Sequence, residues 1–288
     1  MKPWRGDPVS ARRRVSRTPR APRGPSARRA ALLIALAVAA GGVVVAQTST
    51  TFTIKREDTE MVVTNLAKAA DGARTIGNNR NCVEGERMTI VYGPAPGHVE
   101  TRVEDALLTS RLAVITTPDD AAEHSGEETL ELTGDDVTFS RPGCIEDRTP
   151  PQAPAVTLEQ GKTTVVGTRF YLDRETDLGE MTGPITLERG AEEGKEPLRA
   201  TADAMEFAVG EQKATLTGNV VVVDADRRTT GERLELDEDA GTAVLTGNPA
   251  RSVKGNDVLT GQRLLYYLDT SDVVVIGNVT GELEIDLD

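Results

Sequence analysis

Ala214–Asn248 reads ATLTGNVVVVDADRRTTGERLELDEDAGTAVLTGN, and within it Leu216-Thr217-Gly218-Asn219 returns as Leu245-Thr246-Gly247-Asn248. A third copy, Val275-Ile276-Gly277-Asn278, follows, so the three stand 29 and 30 residues apart. Between them, Gly231-Glu232-Arg233-Leu234 recurs as Gly261-Gln262-Arg263-Leu264. A fixed period of this length marks a stacked array of like units. Each unit holds two strand-like runs separated by Gly, Asn or Asp, which read as turns.

Alternation decides the secondary structure. Aligning Gly85-Glu86-Arg87, Gly167-Thr168-Arg169, Gly231-Glu232-Arg233 and Gly261-Gln262-Arg263 places Met88/Ile90, Phe170/Leu172, Leu234/Leu236 and Leu264/Tyr266 on one face. The other face, with Thr89, Tyr171, Glu235 and Leu265, is mostly more polar. Met181, Leu216, Leu245 and Val275 are equivalent in the second strand of each unit, and Ala202–Phe207 fits the template with Ala204 in the arginine's place. Period two with one apolar face is the half-buried antiparallel strand. No 3.6-residue period competes with it, so the chain is all-β. At about 15 residues per strand and turn, roughly 16 strands are expected, and so long a sheet must fold over on itself. Asp224-Ala225-Asp226 and Asp239-Ala240-Gly241 suit hairpin tips. A meander of ~30-residue two-strand repeats therefore fits better than a parallel β-helix.

Working outward, the first 29 residues hold ten Lys or Arg and one acid, Asp7. An uncharged run, Ala30–Ala46, follows and ends in the small-residue pair Val44-x-Ala46. This is the pattern of a secretory signal cut before Gln47. The uncharged stretch continues to Ile54, so residues 30–54 also suit an uncleaved inner-membrane anchor. Both readings send the remainder into the periplasm or cell envelope. Residues 47–288 carry 23 Lys and Arg against 45 Asp and Glu, a formal charge of −22, which leaves no basic footprint for nucleic acid. Residues 47–60 read as a polar lead-in, and strand-like runs follow at Arg87–Tyr92, Ala106–Thr116 and Thr129–Phe139. The expected organisation is an export or anchor segment at 1–46 and an irregular β half at 47–140. A Pro-rich joint at 141–162 then leads to the repeat half at 163–288.

Cys82 and Cys144 lie in the exported part, where a disulfide is the natural state, free thiols the next, and a metal pair the least fitting. No catalytic constellation, metal site or cofactor motif is visible. His98 and His124 are the only histidines and sit in no hydrolase or metalloenzyme context. Gly161-Lys162-Thr163 lacks the earlier glycine of a phosphate loop.

Ala214–Asn248, with Gly277–Val279 closing another copy, resembles the repeat of the LptA/OstA family. That family takes in the N-terminal domain of the outer-membrane translocon LptD and the related anchored protein LptC. The resemblance is good over Thr163–Asp288 and weak over Glu84–Phe139; the longer first half, the two cysteines and the Pro-rich joint depart from it. It implies a folded-over antiparallel sheet, a β-jellyroll or β-taco, whose apolar interior opens along one side. It further implies that acyl chains of lipopolysaccharide lie in that interior while the sugar stays outside. The resemblance implies too that units join end to end through edge strands into a periplasmic bridge. Since no nucleotide site is visible, another protein would have to power the transport, an inner-membrane ABC transporter complex being one candidate partner.

The candidate lipid-binding set is Phe170, Leu172, Met205, Phe207, Leu216, Val220, Leu234, Leu236, Leu245, Leu264, Tyr266 and Val275; the same residues also suit a closed, dry core. Arg87, Arg169, Arg233 and Arg263 are candidates for a lipid headgroup at the rim, and pairing across strands with Asp and Glu is the simpler role. The expected function is binding and transfer of a lipopolysaccharide-like envelope glycolipid. The partners are that lipid and other β-jellyroll components, or a second copy, head to tail. The alternative is a structural envelope protein that polymerises through sheet edges without a ligand.

Overall fold

The computed structural model describes residues 50–56, 59–119, 127–190, 196–208, 211–270, 272–277 and 280–282. The expected export or anchor segment at 1–46 and His124 lie outside them. Among the described residues no helix is long and apolar enough to cross a membrane; the regular structure is β.

The strands in chain order are β1 (Thr50–Arg56), β2 (Thr59–Asn65), β3 (Arg74–Asn79), β4 (Glu86–Tyr92), β5 (Val99–Val103), β6 (Ala106–Ser110) and β7 (Leu112–Pro118). Next come β8 (Thr129–Thr133), β9 (Asp136–Phe139), β10 (Ile145–Thr149), β11 (Val156–Gln160), β12 (Thr163–Gly167) and β13 (Arg169–Asp173). The long strands follow: β14 (Leu178–Arg189), β15 (Leu198–Ala208), β16 (Lys213–Asp224), β17 (Arg227–Asp237), β18 (Thr242–Lys254) and β19 (Asp257–Tyr267), then β20 (Asp272–Ile276) and β21 (Thr280–Glu282).

Nineteen of these form one antiparallel sheet that folds along a crease into two layers. In the first layer β3, β4, β7, β8 and β13 pair in that order and lead into the near halves of β14–β19 and then β20. In the second, β1, β2, β5, β6, β11 and β12 lead into the far halves of β14–β19 and then β21. The long strands run through both layers. In the first half of the chain the same path is cut at the crease, as between β6 and β7 at Arg111 or β12 and β13 at Thr168. The described strands number 21 rather than roughly 16 largely because of these cuts.

The crease corrects the reading of the repeated glycines as turns. Leu216-Thr217-Gly218-Asn219 lies inside β16, where Gly218 and Asn219 take φ of 77° and 48° and the register slips between Thr217 and Val220. At the same place β14 has Gly183-Pro184 and β18 has Asn248-Pro249, with slips of their own. Extra residues on one strand bend it and raise its twist, which is how the sheet turns back on itself. The intervening strands turn without extra residues. In β17, Glu232 and Arg233 both face outward, so Thr229 and Leu234 both face inward despite their odd spacing. Gly231 sits at the crease because a β-carbon there would lie 2.8 Å from Leu245 Cγ. Gly167 and Gly261 meet Met181 and Val275 in the same way. The true hairpin tips are the two-residue turn Ala225-Asp226 and the turns at 238–241, 255–256 and 268–270.

Three further departures come from the first half. The lead-in at 47–60 is strand from Thr50 onward, because Phe52 and Ile54 alternate with threonines and pack on the interior. Gly85 lies in an open turn before β4 and not at the crease, so Met88 and Ile90 face outward. Thr129–Phe139 breaks after Thr133, and β9 leaves to pair with β10 as a separate hairpin. That hairpin lays Val137, Phe139 and Ile145 over Ile90, Tyr92, Leu112 and Val114 on the outer face of the first layer, making a second small core. Cys82 and Cys144 are bonded, their Cα atoms 5.3 Å apart, and tie the hairpin to the β3–β4 connection.

Candidate lipid-binding interior

Inward side chains of both layers merge into one continuous apolar cluster from Met61 to Tyr266. Eleven of the twelve candidate groove residues are buried in it, and Val275 is partly buried against it. They line the space between the layers together, as alternation requires. Leu158, Val165, Ile185, Leu187 and Val222 of the second layer complete the opposite wall.

Opposite the crease the layers meet at the tips of their hairpins, and polar side chains span that mouth. Arg189 ends β14 on the buried side and donates from Nε to both carboxylate oxygens of Glu238 at 3.0 Å. Its Nη1 donates to the carbonyl of Leu268 at 3.3 Å, and Nη2 lies 3.5 Å from Asp269. Thr163 donates to the same Glu238 at 2.8 Å. Toward one end, fully buried Arg174 donates to Thr59 of β2 at 2.9 Å. Toward the other, the Tyr266 hydroxyl donates to Thr229, which bonds Ser252 at 3.1 Å. Burial pushes the Tyr266 phenol up to about 12, only partly offset by its bond to Thr229.

Beside Arg189 the mouth holds a cavity of about 280 Å³. Met205, Phe207 and Leu236 of the candidate set line it, with Lys162 on one lip and Gln212 and Lys213 on the other. The sequence assigns none of Arg189, Glu238, Lys162 and Lys213 to the groove or its rim. Arg189 was detectable: Ile185, Leu187 and Arg189 share the buried parity of β14, so an arginine stands where a core residue is due.

The four candidate rim arginines sit elsewhere, on the outer walls. Arg169 donates to Glu131 at 2.7 Å, and Arg148 holds the same carboxylate at 3.1 Å. Burial pushes Glu131 up, but these two arginines outweigh it and hold the carboxyl below its usual range. Arg233 pairs with Glu235 at 2.9 Å, Arg87 lies 3.7 Å from Asp119, and Arg263 stands exposed. None of the four lines the cavity. His98 lies 3.6 Å from Glu100. Among the described residues no group of three His, Cys, Asp or Glu is placed to hold a metal ion.

Both ends of the folded sheet, among the described residues, present open edges. Among the described residues β1 and β3 each pair on one side only, as do β20 and β21 at the far end. Unpaired backbone groups of this kind template another strand.

The family model described as LptA/(LptD N-terminal domain) LPS transport protein matches residues 95–242, 148 of the 288. A search of the curated proteins finds no match. Among solved structures the chain is similar to LptH, the LptA homologous periplasmic component of the lipopolysaccharide transport device of Pseudomonas aeruginosa. The two are 10% identical with a TM-score of 0.36, over 43% of this chain and 95% of that one. The family model spans both sides of the crease and most of the strands that line the cavity. By that match the chain belongs to the LptA/LptD N-terminal domain family of lipopolysaccharide transport proteins, a family of carriers rather than enzymes.

Proposed function

We propose that this protein carries a lipopolysaccharide-like envelope glycolipid by admitting its acyl chains between the two layers of the folded sheet. One observation supports this above the others. Among the described residues the layers share backbone pairing only along the crease, while the mouth is held by side chains such as Arg189 and Glu238. Parting the mouth therefore separates two apolar walls without unpairing a strand. Each methylene then buried contributes about 0.8 kcal/mol, so even a short acyl chain offsets several lost polar contacts.

In this reading residues 1–46 export or anchor the chain into the periplasmic space, and residues 141–162 join its halves at 47–140 and 163–288. The open edges at β1, β3, β20 and β21 suit head-to-tail pairing with another β-jellyroll component or a second copy. An inner-membrane ABC transporter complex supplies the energy. The test is native mass spectrometry of the full chain purified from its own envelope without detergent stripping. The proposal expects a stoichiometric glycolipid adduct.

The filled interior favours the second reading, a structural protein that polymerises through its edges. That reading expects a clean unliganded mass together with concentration-dependent oligomers.

A further inference from the structure

Three cations surround the cavity at the mouth. Arg189 belongs to its wall and is only 8% exposed. Lys162, in the β11–β12 turn, and Lys213, at the start of β16, face it from opposite lips and stand in solvent. Beneath them lies an apolar floor of Leu158, Val165, Leu187, Met205, Phe207 and Leu236.

A sheet that only packs on itself gains little from a guanidinium at this position, since apolar residues commonly stabilise such a place as well or better. Among the described residues the groups that satisfy Arg189 come from the opposite lip: Glu238, the Leu268 carbonyl and Asp269. Glu238 and Asp269 sit in hairpin turns with side chains 20% and 68% exposed, so both can swing outward while the strands stay paired. Among the described residues Lys213 is held by an exposed pair with Glu211 at 3.3 Å, the kind worth little. A phosphate offers the same charge as Glu238 with more acceptor oxygens, and the planar guanidinium matches it in two-point geometry.

We propose that this cavity is the binding site for the head and first methylenes of an anionic, phosphate-bearing amphiphile. The acyl chain lies on the apolar floor, and the phosphate takes Arg189 from Glu238 while Lys162 and Lys213 close over it. This rests on the carrier reading above and names the headgroup chemistry that the mouth selects.

The test compares decyl phosphate, decyl maltoside and inorganic phosphate as competitors of a fluorescent acyl probe on the full chain. Below their micelle concentrations, decyl phosphate should compete about tenfold more tightly than decyl maltoside, the worth of one charge-assisted contact. Inorganic phosphate alone should not compete. Lys162→Gln with Lys213→Gln, both exposed and harmless to the fold, should remove most of that preference. Glu238→Gln, which frees Arg189, should enlarge it. Equal competition by the two decyl compounds in every variant, or by inorganic phosphate, would overturn the inference and leave the carrier reading standing. Failure of the probe and both amphiphiles to bind would overturn the carrier reading with it.

Discussion

At Gly231 the fold leaves no room for a methyl group, since a β-carbon would meet Leu245 Cγ and the Thr246 carbonyl at 2.8 Å. Gly231→Ala should therefore cost about 2 kcal/mol in urea unfolding, as overpacking does. Gly161→Ala is the control, with φ of +56° and nothing within 4 Å of the added carbon; its cost should be about 1 kcal/mol, from backbone strain alone. Equal losses would mean that the crease is not tightly packed. Tyr266 supplies a second prediction. Its folded-state pKa is raised from the ordinary 10.0 to about 12. The stability it contributes is thus fully present below pH 10 and is lost as pH rises through 12, roughly 3 kcal/mol in all. Urea midpoints measured from pH 8 upward should fall more steeply in the parent than in Tyr266→Phe. At this scale the inward set was legible, because alternation alone assigns Phe170, Leu234 and Tyr266 to one face. Parity also turns Arg189 inward, but its partners are not legible: nothing local in Arg189 or Thr229 tells which residue of the other layer it will meet.

Elements carry the next lesson. The 30-residue period and the strand type can be read directly, yet Gly218-Asn219 and Gly247-Asn248 read as turns between strands, whereas each is a bulge within one. A bulge and a turn use the same residues, because both need positive φ or a bend; only the pairing of flanking residues separates them. The β9–β10 hairpin was illegible for a different reason. Its apolar residues Val137 and Phe139 look like a continuation of β8, and their true partner is the outer face of β4 and β7. The disulfide at its base bounds a loop 62 residues long in sequence, worth about 4 kcal/mol on the chain-entropy account. Cys82→Ser with Cys144→Ser should loosen this hairpin first. Binding of a hydrophobic dye should rise as Ile90, Leu112 and Val114 are uncovered, while amides of β14–β19 keep their exchange protection. Simultaneous loss of protection in β14–β19 would show instead that the small core and the large one unfold as a unit.

For the whole molecule, the sheet crosses from the first half of the chain to the second without a break. β8 pairs with β13 in one layer and β6 with β11 in the other; the part of the expected 141–162 joint that precedes β11 leaves the layers, while β11 itself is a strand of the second. A fold held by backbone along one line and by side chains along the other has an evident direction of opening. The decisive comparison fixes that mouth. Lys162 and Gln212 face each other across the cavity, the native cysteines are already bonded, and Lys162→Cys with Gln212→Cys can be bridged by a short bis-maleimide. Native mass spectrometry then follows titration with lipopolysaccharide before and after bridging. The account predicts a one-to-one adduct on the unbridged protein and none on the bridged one. Equal adducts on both, or none on either, would contradict it.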